Sequence, residues 1–196
     1  HKTLEWMLHI AKQEQKALTG SIPFYDNGVY YNRLFFVEPN GTYHQYDKRH
    51  TFTLAGESKV YKQGKQRLVL EYMGFQICPL ICYDLRFPVW ARNTEDYDVL
   101  LYVANWPKTR IYAWDTLLAA RAIENMAYCI GVNRIGSDDG GYEYTGHSAV
   151  YDALGKNLAF SEEDTILYTT LNKAHLDETR YNLKFLQDRD QFSLKD

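Results

Sequence analysis

Two tight-turn signals stand close together early in this sequence, Asp26-Asn27-Gly28 and Asn40-Gly41. Asn, Asp and Gly reach the positive φ that short hairpin loops require, so each pair marks a reversal between neighbouring antiparallel strands. The strand-like run Val29 to Val37 lies between them, and Thr42 to Tyr46 follows the second. Further on the pattern changes. Residues 67–72 and 74–82 read as another strand pair broken near Gly74, Val99 to Val103 as a buried strand, 110–126 as a helix and 128–133 as an apolar strand. Hairpins followed by alternating strand and helix point to a layered α/β protein with a mixed sheet.

The remaining elements fit that frame. Leu4, Met7, Leu8, Ala11 and Leu18 fall near helical spacing, which predicts an amphipathic helix over about 3–17. A short helix is expected over 88–95, opening at Pro88, with strands around 146–151 and 166–171 and a last helix over 173–185. A chain of 196 residues suits one domain with a substantial core. Net charge is −3, from 22 basic and 25 acidic residues, with no basic stripe, so nucleic acid is not an expected partner. No apolar stretch nears the roughly 20 residues of a membrane span. No secretory signal pattern is seen, and three cysteines are too few for a disulfide scaffold, which points to the cytoplasm.

The segment Ile81-Cys82-Tyr83-Asp84-Leu85-Arg86-Phe87-Pro88 concentrates the chemistry. An apolar strand ends at Cys82, and Pro88 suits a first helical position, so the thiol is expected on a strand-to-helix turn. Such a turn exposes a nucleophile and aims backbone N–H groups at the point where an oxyanion forms. The Tyr83 N–H is the candidate oxyanion donor. Taken alone, a cysteine is more often a small buried side chain, and Cys78 and Cys129 are read that way. A zinc site at Cys78 and Cys82 lacks a second ligand pair nearby. His147, in Thr145-Gly146-His147-Ser148, is an available proton acceptor by analogy with papain-type hydrolases, but local spacing ties no histidine to Cys82.

Cys82-Tyr83-Asp84-Leu85-Arg86-Phe87-Pro88 closely resembles the nucleophile motif of the nitrilase superfamily of carbon–nitrogen hydrolases. Tyr46-Asp47-Lys48-Arg49-His50 resembles that family's catalytic lysine segment. Ala104-Asn105-Trp106-Pro107, Ala120-Arg121-Ala122-Ile123-Glu124-Asn125, Asn133-Arg134-Ile135-Gly136 and Gly146-His147-Ser148 continue in the expected order, from about residue 3 to 190. The branch most resembled is the omega-amidases, which hydrolyse the distal amide of 2-oxoglutaramate and related monoamides. The resemblance implies a four-layer α-β-β-α sandwich, a homodimer or higher homo-oligomer, and a Glu, Lys, Cys triad with no metal or organic cofactor. It makes Cys82 the nucleophile and Lys48 the oxyanion-stabilising cation, and sets Glu57 to orient the lysine or the attacking water. The family's general-base glutamate belongs to a strand ahead of the first helix. The sequence opens His1-Lys2-Thr3-Leu4 without an initiator Met, so the expected fold is N-terminally incomplete and the natural polypeptide longer.

An omega-amide carries a carboxylate at its far end, which calls for a cation. Arg110 is placed first, with Arg86 and Arg134 as rivals and Trp106 as a pocket wall. Arg121 and Glu124, at i and i+3, are expected to pair structurally. Competing functions are another hydrolase of the superfamily, acting on a nitrile or carbamoyl group, and a catalytically inactive binding relative.

Overall fold

The computed structural model describes residues 1–194 and groups the chain into two compact units, His1–Leu68 and the part from Val69 onward.

The first unit opens with helix α1 (Lys2–Glu14), which stops where Gln15 turns to a left-handed φ of 52°. Strands β1 (Leu18–Asp26), β2 (Val29–Val37) and β3 (Tyr43–Asp47) then form an antiparallel sheet in sequence order. Both Asx-Gly turns sit where the sequence places them, joining β1 to β2 and β2 to β3. Met7 and Ala11 of α1 bury against Phe35 and Val37 of β2, with Leu4, Leu8, Leu18, Ile22 and Phe24 around them. Arg33 fixes the register from inside β2. Its Nε and Nη2 bind the two oxygens of Asp47 at 2.6 and 3.0 Å, and Nη1 binds Asp26 at 3.1 Å. The guanidinium also lies over the rings of Phe24 and Tyr31.

The second unit holds a six-stranded mixed sheet and a small two-stranded ribbon. Its elements are β4 (Leu70–Tyr72), β5 (Phe75–Ile81), α2 (Pro88–Ala91), β6 (Val99–Ala104), α3 (Ile111–Asn125), β7 (Tyr128–Asn133), β8 (Ile135–Ser137), β9 (Glu143–Thr145), β10 (Ser148–Tyr151), β11 (Asn157–Ser161) and α4 (Lys173–Leu183). The sheet order is β11-β10-β7-β6-β5-β4, and β8 pairs with β9. Strands β5, β6 and β7 run parallel, with Ile81 opposite Val103 and Ala104 opposite Asn133. Helix α3 makes the crossover from β6 to β7, as parallel neighbours require. It lies close enough to the sheet that a Cβ on Gly131 would come within 2.5–2.9 Å of Leu118 and Trp114.

Three sequence expectations change. The helix expected over 88–95 ends at Ala91, because buried Asn93 draws the chain into a loop by bonding Tyr97 and the Asn125 carbonyl. Residues 166–171 form no strand, although their β-branched, aromatic and apolar residues suit one. Ile166 and Tyr168 project outward, 73% and 84% exposed, and the outer strand is β11 instead. That strand returns after a turn in which the Asp152 carboxylate accepts from the N–H groups of Leu154 and Lys156. The β8–β9 ribbon has no counterpart in the sequence reading. Helix α4 is anchored by Arg180, whose guanidinium reaches the Met126 and Tyr97 carbonyls at 2.7 and 2.6 Å and the buried Asp98 carboxylate at 2.8 Å. No helix among the described residues is long and apolar enough to cross a membrane.

Candidate active site

In the first unit, β3 ends at Asp47 and delivers Lys48 directly after it. Backbone bonds hold the lysine on both sides, from its N–H to the Asn32 carbonyl at 2.9 Å and from the Gly64 N–H to its own carbonyl at 2.9 Å. The chain passes so near there that a Cβ on Gly64 would sit 2.0 Å from the Asp47 oxygen. The Lys48 ammonium is 4% exposed and donates to both oxygens of Glu57, at 2.9 and 2.6 Å. The same carboxylate accepts from Asn32 Nδ2 at 3.1 Å and from the Phe52 N–H at 2.6 Å. Burial pushes the Glu57 carboxyl upward. The charge of Lys48 and these hydrogen bonds outweigh it and hold Glu57 below its usual range. The structure therefore brings together the two residues that the sequence sets nine positions apart.

In the second unit, the parallel strands β5, β6 and β7 end side by side, and the residues just beyond them share one edge of the sheet. In parallel α/β sheets that edge, at the carboxyl ends of the strands, is where ligands bind. Cys82 follows β5, Asn105 and Trp106 follow β6, and Arg134 follows β7. The Cys82 Sγ lies 3.9 Å from the Asn105 carbonyl oxygen, and the Arg134 N–H donates to the Ala104 carbonyl at 3.2 Å.

Cys82 has a φ of +45°, in the left-handed region that side chains with a Cβ seldom enter. It opens a tight 3₁₀ turn, Cys82–Arg86. Two buried groups over-determine that conformation. The Asp84 carboxylate accepts from the Ile81 N–H at 3.1 Å, and Arg121 of α3 donates to the Leu85 carbonyl at 2.6 Å. Arg121 also pairs with Glu124 at 2.9 Å, the i,i+3 contact expected from the sequence. A strained residue held at the end of a strand is a common arrangement for a nucleophile. Tyr83, the candidate oxyanion donor, is next in the turn, and its ring meets Phe87 edge-on.

Trp106 is 3% exposed and is held by Asn133. Its N–H donates to Asn133 Oδ1 at 2.7 Å, and Asn133 Nδ2 returns a bond to its carbonyl at 2.9 Å. The Arg86 guanidinium stacks 4.9 Å above the Trp106 ring. Arg110 stands at the N-terminus of α3, and its carbonyl accepts from Trp106 Nε1 at 2.8 Å. His147 Nδ1 lies 2.9 Å from Asp115, and its Nε2 is 3.6 Å from Glu162. Both ring nitrogens thus face carboxylates, an arrangement unlike the cysteine-directed imidazole of a papain-type pair. Cys78 and Cys129 are fully buried, and burial raises the Cys129 thiol strongly. Among the described residues, no group of three or more His, Cys, Asp or Glu side chains is arranged to hold a metal ion. The sequence reading missed Asn32, Asp84 and Asn133 as supports. Their only signal is a short polar side chain at the end of, or within, an otherwise apolar run.

Comparisons with known proteins identify the family. A model of the carbon-nitrogen hydrolase family matches residues 1–181. The chain is 45% identical over 195 residues to the omega-amidase YafV of Yersinia enterocolitica, covering 98% of this chain and 76% of that one. It is 32% identical over 188 residues to the 2-oxoglutaramate amidase of Bacillus subtilis, covering 93% and 72%. Among solved structures it superposes on XC1258 from Xanthomonas campestris, a CN-hydrolase superfamily protein described with an arsenic adduct in its active site. That match has a TM-score of 0.96 and 41% identity, and covers 98% of this chain and 76% of that one. A thiol at the end of a central parallel strand, a buried Lys–Glu pair and these relatives together mark the chain as a member of the carbon-nitrogen hydrolase family with the nitrilase-type α/β fold.

Proposed function

We propose that the chain hydrolyses the distal amide of a small monoamide of a dicarboxylic acid, of the 2-oxoglutaramate or succinamate kind, to carboxylate and ammonia. The observation that carries this reading is Cys82 at φ +45° at the end of β5, in a chain whose relatives bear the names omega-amidase and 2-oxoglutaramate amidase.

In the proposed reaction the Cys82 thiol gives up its proton to a carboxylate base, and the thiolate attacks the amide carbonyl carbon. The Tyr83 N–H donates to the resulting oxyanion. The tetrahedral adduct collapses, the C–N bond breaks, and the base returns the proton to nitrogen so that ammonia leaves. Water then attacks the thioester carbon, the C–S bond breaks, and carboxylate and free thiol are restored. Dividing one difficult substitution into two easier ones is the advantage of the covalent route.

Family resemblance assigns Lys48 the cation of the triad, and Glu57 holds that ammonium in place through both its oxygens. Glu57 already accepts four hydrogen bonds, from Lys48 twice, Asn32 and Phe52, so it suits the orienting role better than proton transfer. The same resemblance gives the base role to a separate glutamate. Trp106 forms an apolar wall, and the far carboxylate is met by one of the arginines beside the strand ends, Arg86, Arg110 or Arg134. No cofactor enters this scheme. The three cysteines are unbridged, which fits a reducing compartment such as the cytoplasm.

The test is ammonia release from 2-oxoglutaramate and succinamate by the purified protein, with Cys82→Ala alongside. Release that vanishes in the variant is expected. Release that persists in Cys82→Ala removes the thioester route. Turnover of a nitrile or carbamoyl compound in place of both amides moves the chain to another branch.

A further inference from the structure

The cation that reads the far end of the substrate is selected by the spacing of the strands. We propose that Arg134 binds the distal carboxylate, an assignment that rests on the omega-amide reading above. Cys82 follows β5 and Arg134 follows β7, with only β6 between them. Neighbouring strands lie about 4.8 Å apart, so the chain at these two positions is separated by roughly 10 Å. In an extended five-carbon monoamide, four C–C bonds of about 1.5 Å put the far carboxyl carbon roughly 5 Å from the amide carbon. A charge-assisted hydrogen bond adds about 3 Å more. The span of such a substrate therefore matches a step of two strands once side-chain reach is included.

Three further observations favour Arg134. First, its guanidinium forms no salt bridge among the described residues. The guanidinium donates from Nη2 to the Ser137 carbonyl at 3.0 Å. Second, the nearby carboxylate, Asp138, feels the charge of Arg134 but already has both oxygens hydrogen-bonded to other groups. Asp138 accepts from the Tyr144 hydroxyl at 2.6 Å and from the Gly140 and Tyr142 N–H groups at 3.0 Å each. Third, the guanidinium is held in place, 4.6 Å over the ring of buried Tyr144, by the β8–β9 ribbon. Burial and the Asp138 carboxylate push the Tyr144 hydroxyl up to about 12, and a negative Cys82 sulfur adds to that rise, which puts the ribbon within electrostatic range of the nucleophile. A planar, half-buried guanidinium fits a carboxylate with two parallel hydrogen bonds. Arg86 sits on the Cys82 turn itself, against the Trp106 ring, and Arg110 stands at the N-terminus of α3.

The experiment compares kcat/KM for 2-oxoglutaramate and for pentanamide, an uncharged amide of the same length, in the wild type and in Arg134→Gln, Arg134→Lys, Arg110→Gln and Arg86→Gln. Calorimetric binding of glutarate gives a second readout that needs no turnover. Arg134→Gln is expected to lower the charged-to-neutral kcat/KM ratio and the glutarate affinity by roughly 30-fold each. Arg134→Lys should recover part of both, and the melting temperature should stay near the wild-type value. Wild-type turnover of 2-oxoglutaramate with an unchanged ratio in Arg134→Gln overturns the assignment while leaving the amidase reading intact. So does a charge-selective loss in Arg110→Gln or Arg86→Gln instead. A wild-type chain that hydrolyses pentanamide but neither hydrolyses 2-oxoglutaramate nor binds glutarate overturns the omega-amide reading, and Arg134's role with it.

Discussion

The Lys48–Glu57 pair is a buried ion pair whose remaining bonds are satisfied, and such pairs are costly to break from one side only. Glu57→Gln leaves the 4% exposed ammonium without its counter-charge. The expected loss is about 3 kcal/mol, seen as a lower urea midpoint. The pH dependence has a definite sign. Glu57 is held below its ordinary value, so the stability it supplies is complete above the unfolded carboxyl value of about 4.3 and is lost as pH falls from there through the folded value. Urea titrations from pH 6 down to pH 3 should show this decline in the wild type and a shallower one in Glu57→Gln. An equal slope in both would show that other carboxylates dominate. At this scale the sequence is legible for residues whose chemistry is rare and whose neighbours are informative. Cys82 stands out on those grounds, whereas Lys48 and Glu57 are singled out only by the family resemblance. Asn133 and Asp84 do not stand out, because a supporting hydrogen bond to a backbone group leaves almost no trace in local composition.

Among the elements, the contact of α3 with β7 rests on a missing side chain. Gly131 lets Leu118 and Trp114 approach the strand backbone, and Gly131→Ala would force them apart. The expected cost is about 2 kcal/mol, with kcat falling as well, because α3 also carries the Arg121 that grips the Cys82 turn. Thermal melting and steady-state kinetics on the same sample check both parts. A variant as stable as wild type would mean that α3 shifts freely. Helix α4 depends on Arg180 in a comparable way. Arg180→Met should speed amide exchange in 173–183, since it removes three bonds of which one reaches the 3% exposed Asp98 carboxylate. Most elements could be read from periodicity, hairpin residues and Pro88. Those that could not, β8, β9 and β11, are three to five residues long, too short for periodicity to separate them from loop. The error at 166–171 has the opposite cause, a segment of strand-favouring residues that pairs with no strand.

Across the whole molecule, the order of motifs carries more than any single one. It points to the nitrilase-type fold, whereas the grouping into two compact units has no sequence signal in linker or composition. Large apolar side chains remain outward-facing in the second unit, with Tyr112, Ile166, Tyr168 and Tyr181 all more than 70% exposed. Sedimentation velocity is expected to give a dimer or larger assembly, in line with the family resemblance; a monomer at micromolar concentration would count against it.

Cys82 also sets activity against stability. A residue with a Cβ costs about 1 kcal/mol or more when held at its φ of +45°, and only glycine escapes that penalty. Cys82→Gly should therefore melt above Cys82→Ala, although neither turns over substrate. A lineage released from selection for catalysis would find its easiest gain in robustness at the nucleophile itself, so inactive descendants of such an enzyme should drift toward glycine there and outlast their working ancestor in heat.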